Sequence, residues 1–113
     1  MRKLIVPRLI FSIIFSFFIF QSLYADSKWL TLKEGNKIVL IRHALAPGGG
    51  DPTGFKINDC KTQRNLNKVG IDQSKKIFEL FKRNQIPIDR VLSSQWCRCK
   101  DTAKYAFKDY KVF

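Results

Sequence analysis

Histidine is nearly absent from this sequence of 113 residues: His43 carries its one imidazole. Cysteine is sparse and odd in number, at Cys60, Cys97 and Cys99. Three thiols and His43 at these positions fit no standard zinc spacing, so no metal site is expected. Acids are few, nine against 21 lysines and arginines, for a formal net charge of +12. The basic residues never run five together, and no nucleic-acid-binding motif accompanies them. The charge reads as a solvated basic surface that favours anionic ligands in general, without nucleic acid as a partner.

Other absences narrow the chemistry. No Gly-Lys-Ser/Thr follows Gly48-Gly49-Gly50, which excludes a P-loop. Pro52 and Thr53 break the dinucleotide-binding pattern, and no cofactor is expected. A G-x-S-x-G elbow is missing, which argues against Ser93 or Ser94 as a hydrolase nucleophile. Long apolar runs are missing too. The longest uncharged one, residues 9–20, has about 12 residues, short of the roughly 20 that span a bilayer.

That short run sits in "MRKLIVPRLIFSIIFSFFIFQSLYA". Arg2, Lys3 and Arg8 precede the apolar stretch, and a small polar segment ending in Ala25 follows it. This is the order of a secretory signal peptide. Residues 1–25 are expected to be removed, with Leu23 at the −3 position, leaving a domain over residues 26–113. An exported protein, periplasmic or secreted, follows. A membrane would be met only through an uncleaved leader. Export means an oxidising compartment, where cysteines pair. Cys97 and Cys99 diverge on a helix, so Cys60 is expected to bridge to Cys97 or to Cys99. Closing so long a loop stabilises by roughly 3–4 kcal/mol in the chain-entropy model.

Residues 26–36 read as a lead-in with a turn at Glu34-Gly35-Asn36. "KIVLIR", residues 37–42, suits a buried strand of a parallel sheet. Residues 43–66 hold Pro47, the three glycines, Pro52 and Gly54, and loops this long are usually functional or disordered. A helix follows with Asn67 as its N-cap. Gly70, Ser74, Ile77, Phe78 and Phe81 share one face, the small ones permitting close approach to a sheet, and Pro87 stops the helix. Residues 88–94 read as a second strand, 96–107 as a second helix with Ala103 and Phe107 on one face, and 110–113 as the start of a third strand. This βαβα order implies a parallel sheet with ligands beyond its strand ends. If the first two strands are neighbours, Arg42, His43 and Arg98 converge beside a helix N-terminus, a site for a phosphate group.

"LIRHA", "RNLNKVGIDQS" and "VLSSQWCRCKDTA" together resemble the histidine phosphatase superfamily, the phosphoglycerate-mutase-like clan. Its usual pattern is Arg-His-Gly, then Leu-Thr-x-x-Gly-x-x-Gln-Ala, then Ser-Ser-Pro-x-x-Arg-Ala-x-x-Thr-Ala. Arg42, His43, Leu66, Gly70, Gln73, Ser93, Ser94, Arg98, Thr102 and Ala103 match. Ala44, Asn67, Ser74, Gln95 and Cys99 depart from it. The resemblance covers residues 37–107. It implies an α/β fold with a parallel sheet in three layers, and phosphoryl transfer from a phosphomonoester to His43 followed by hydrolysis. Arg42 and Arg98 would hold the phosphoryl oxygens. Arg64 is either a third phosphate contact or a surface residue. The family's second histidine and its general acid, a downstream Glu or Asp, have no counterpart in these residues. About half the usual sheet is missing as well. The expected fold is therefore an incomplete one, the N-terminal part of such a domain, with an uncovered sheet edge open to self-association.

Three functions compete: a histidine-phosphatase-type domain acting on a phosphorylated small molecule or related anion, a non-catalytic anion-binding relic, and a small basic membrane-anchored protein. The ordered motifs argue against the last. The leader predicts that protein recovered from the envelope fraction begins at Asp26. Intact-mass measurement checks this, and a mass retaining residues 1–25 would refute it.

Overall fold

The computed structural model describes residues 27–113. The expected leader lies outside the described residues. The chain divides into two units, one ending at Asn36 and the other running from Lys37 to Phe113. Among the described residues no helix is long and apolar enough to cross a membrane.

In the first unit, residues 27–33 belong to a helix, α1, where the sequence suggested an irregular lead-in. The expected turn closes it. The Gly35 N–H donates to Leu32 O at 3.1 Å, and Gly35 and Asn36 both take left-handed φ values, 77° and 52°.

The second unit runs through a single 3-10 turn (Cys60–Thr62), helix α2 (Lys68–Arg83), strand β1 (Leu92–Ser93), helix α3 (Cys97–Phe107) and strand β2 (Lys111–Val112). Helix α2 starts where its cap predicts. Asn67 has extended backbone, and its Oδ1 accepts the Gly70 N–H at 2.9 Å, satisfying one of the free donors of the first turn. Its end differs from the expected proline stop. The Gln85 N–H donates to Lys82 O and the Ile86 N–H to Phe81 O, both at 3.0 Å, with Gln85 at φ 52°. This is a Schellman closure with glutamine in the left-handed seat that glycine usually takes. It reverses the chain before Pro87 is reached.

The core of this unit is made of small residues. Ala103 and Ala106 of α3, Ser74 of α2, and Ala44 and Ala46 of the preceding segment are buried. Phe81 and Phe107 meet edge to face at 5.2 Å between centroids across the α2–α3 contact. The small face of α2 does not approach a sheet. A Cβ built on Gly70 would lie 2.1 Å from the carbonyl oxygen of Leu45. Gly70 thus brings the loop after His43 onto the helix.

The expected three strands are reduced to two. β1 and β2 pair in parallel, Leu92 with Lys111 and Ser93 with Val112, and α3 connects them as a βαβ unit. Residues 37–42 pair with no strand among the described residues. Ile38 is 91% and Leu40 93% exposed. The β-branched pattern was right for a strand, but a strand needs a neighbour for its backbone groups. The segment's anchor instead lies just downstream, on the helices. The architecture is a mixed α/β unit with a small parallel sheet, consistent with an incomplete α/β fold.

Two substitutions test these contacts. Gly70→Ala should destabilise by about 2–3 kcal/mol, because its methyl meets backbone that has nowhere to move. Gln85→Gly should stabilise by about 0.5–1 kcal/mol by removing left-handed strain. Urea unfolding measures both, and a neutral Gly70→Ala would mean that Leu45 is free to shift.

Candidate functional site

The site begins with four residues after the unpaired segment. His43 Nδ1 lies 2.8 Å from Ala44 O. A carbonyl cannot donate, so Nδ1 is the donor in this contact; in a neutral ring of this tautomer the lone pair lies on Nε2. The next two residues are fixed by side chains from both helices. The Ala44 N–H donates to Thr102 Oγ1 at 3.0 Å, and the Leu45 N–H to Gln73 Oε1 at 2.9 Å. Leu45 O accepts the Asn67 N–H at 3.3 Å and rests on Gly70. The Gly70, Gln73 and Thr102 positions singled out by their spacing are therefore positioning residues: they hold the backbone beside His43. Thr102 Oγ1 in turn donates to Arg98 O at 2.7 Å. Two hydrogen bonds at one hydroxyl thus connect the segment bearing His43 to the turn bearing Arg98.

Arg98 lies in the first turn of α3, with its side chain only 11% exposed. Its guanidinium stacks on Trp96, 4.5 Å from ring centroid to Cζ, and Trp96 rests against Phe55 at 4.9 Å. Nη1 donates to both carboxylate oxygens of Asp51, each at 3.1 Å. Asp51 is equally buried, 10% exposed, and its Oδ1 also accepts the Arg64 N–H at 2.9 Å. Arg64 is half-buried. Its Nη1 donates to Ala46 O at 2.7 Å and to Gly48 O at 2.9 Å, latching the glycine loop. The Nε atoms of Arg64 and Arg98 are both buried without a hydrogen-bond partner. Each is an unspent guanidinium donor, the kind of group that an oxyanion can satisfy.

Arg42 is exposed and makes no hydrogen bond or ion pair with the described residues. Residues 37–42 and β1 are not paired, so the adjacent strands from which the convergence of Arg42, His43 and Arg98 was expected are not formed. His43 and Arg98 are linked through Thr102 instead. Asp51 and Gln63 were missed from the sequence. Asp51 carried a faint signal, an acid between three glycines and a proline in the loop after His43. Gln63 carried none.

Gln63 shapes the start of α3. Trp96 at the cap position offers no side-chain hydrogen bond. The buried Gln63 substitutes, its Oε1 accepting the Cys97 N–H at 3.0 Å. Its Nε2 donates to Lys56 O and Ile57 O at 2.9 and 2.8 Å. Cys60 is bonded to Cys97, with Cα atoms 5.6 Å apart, and Cys99 is free and half-buried. The residue before Arg98 is thus tied down twice. No group of histidines, cysteines and acids that could hold a metal occurs among the described residues.

The sequence model of the histidine phosphatase superfamily (branch 1) matches residues 38–112. The chain belongs to the histidine phosphatase superfamily. The matched span takes in His43, both arginines of the buried cluster, α2, α3 and the two strands. No curated protein and no solved structure matches the chain.

The bridge spans 37 residues of sequence. Replacing Cys60 and Cys97 together by alanine should cost about 3–4 kcal/mol and loosen the turn that presents Arg98. Chemical unfolding of the double variant, compared with the oxidised protein, checks this. A loss under about 1 kcal/mol would mean that the unfolded chain is already constrained.

Proposed function

We propose that this histidine phosphatase domain binds phosphomonoesters at His43 and Arg98 and can accept the phosphoryl group on His43. The observation that supports the proposal is the pair of hydrogen bonds through Thr102, which ties the backbone next to His43 to the backbone of Arg98, whose guanidinium is buried. Nε2 would attack phosphorus while the bond to the ester oxygen breaks. The leaving oxygen takes a proton from solvent or an acid. Water would then attack the phosphohistidine, breaking the N–P bond and releasing phosphate. Arg98 would stabilise the charge on the transferring group. Arg42 adds a guanidinium next to the nucleophile in sequence, and the Nε of Arg64 is a further donor.

We also propose export. The Cys60–Cys97 bond supports it, because disulfides persist in oxidising compartments.

A second proposal, anion binding without turnover, concerns these 113 residues taken by themselves, which hold a single histidine. In the family a second histidine helps hold the phosphate, and an acidic residue serves the leaving group. Without a positioned general acid the rate falls by roughly 10²–10⁴. The two proposals share the binding step and part at catalysis.

Arg98→Ala should weaken phosphate or vanadate binding by about 1.5–3 kcal/mol, the worth of a charge-assisted hydrogen bond. Calorimetric titration reads it, and equal affinity in the two proteins would place the anion elsewhere. Hydrolysis of an aryl phosphate by the chain should be barely above the His43→Ala blank. Robust turnover that vanishes in His43→Ala would favour the enzyme over the binder.

A further inference from the structure

We propose that Asp51 is an internal ligand of the anion site: a phosphoryl group binds Arg98 by displacing the Asp51 carboxylate, so Asp51 sets how strongly an anion must bind to enter. This rests on the assignment of Arg98 as the phosphate-binding arginine. Asp51 makes the contacts that an incoming oxyanion would make. Two of its oxygens sit 3.1 Å from Arg98 Nη1, and one also accepts the Arg64 N–H at 2.9 Å. Both charged side chains are nearly buried, where like charges repel strongly. A phosphoryl dianion and the Asp51 carboxylate are therefore poor companions on one guanidinium.

The loop is built to let go. Asp51 follows Gly48, Gly49 and Gly50 and precedes Gly54 by three residues. Gly48 and Gly54 hold left-handed φ values of 101° and 79°. Nothing lies within 4 Å of a Cβ placed on Gly49, Gly50 or Gly54, so no neighbouring group packs against these residues on that side. Residues that absorb a change in φ and ψ flank the carboxylate on both sides. Arg64 holds the loop's near end through Ala46 O and Gly48 O, so release of Asp51 need not disturb Ala44 or His43. An anion with more charge and more acceptor oxygens than a carboxylate wins the exchange.

The test uses the 113-residue chain and inorganic phosphate near pH 7.5. Asp51→Asn keeps an oxygen for the Arg64 N–H but removes the competing charge. Its phosphate affinity should rise about tenfold over the wild type, the scale of one charged hydrogen bond. Equal or weaker binding by a variant with native circular dichroism overturns the proposal. A second measurement needs no substitution. In the wild type, hydrogen exchange at the Arg64 amide should quicken when phosphate saturates the site, because Asp51 no longer accepts it. An amide as protected as before overturns displacement. Arg98→Ala separates the failures. If it binds phosphate as well as the wild type, the site assignment falls and the displacement proposal with it. If Arg98→Ala weakens binding while Asp51→Asn gains nothing, the site stands and only displacement is refuted.

Discussion

The carbonyl of Leu45 rests where a side chain on Gly70 would be, and the site depends on that contact. It lets α2 come close enough for Gln73 to take the Leu45 N–H and for the Asn67 N–H to reach Leu45 O. With that stretch fixed, Ala44 meets Thr102, and Thr102 brings in the first turn of α3 through Arg98 O. His43 therefore takes its place from two helices acting on the residues behind it. A methyl group on Gly70 would disturb this order of contacts at its first step.

Arg98 poses a different physical problem. A guanidinium this buried needs a counter-charge, and breaking such a pair is costly. Forming it is another matter, since desolvation of both partners offsets much of the attraction. The Asp51–Arg98 pair is thus a poor candidate for a stabilising device. What holds the turn together is the disulfide and the Gln63 cap on the Cys97 N–H. Trp96 adds a flat face beneath the guanidinium. The turn that bears Arg98 is held by contacts that do not involve Asp51, as the proposed exchange of ligands at the guanidinium requires.

Much of this was legible in the sequence, and the limits have physical causes. Helix α2 was marked by its Asn67 cap and its apolar spacing, both local signals. Helix α3 and the spacing of Arg98 and Thr102 within it were equally local. The family followed from motifs in order, and the family match over residues 38–112 agrees. The strand at residues 37–42 failed because apolarity and β-branching describe a residue's fitness for a sheet. They do not supply the neighbouring strand. Asp51 and Gln63 escaped for a related reason. Each acts across 34 or more residues of sequence, Asp51 on Arg98 and Gln63 on Cys97, and no periodicity encodes such a pairing. Cys60 was open between two partners until the geometry chose Cys97.

The unpaired strand and the anchored loop together bear on what the domain can do. Residues 38 and 40 are almost wholly exposed, whereas Ala44 and Ala46 are buried. The sheet therefore contributes little to the position of His43, and the helices contribute most of it. The proposed binding of an anion would draw on Arg98, Arg64 and the backbone beside His43, all of which are held by contacts within residues 44–102. Turnover asks for more: a donor to the leaving oxygen and further positive charge around the transferring group. The two demands fall on different parts of the architecture. The proposed anion site would thus draw on the helices and the loop after His43, whereas the proposed turnover would also need a proton donor to the leaving oxygen.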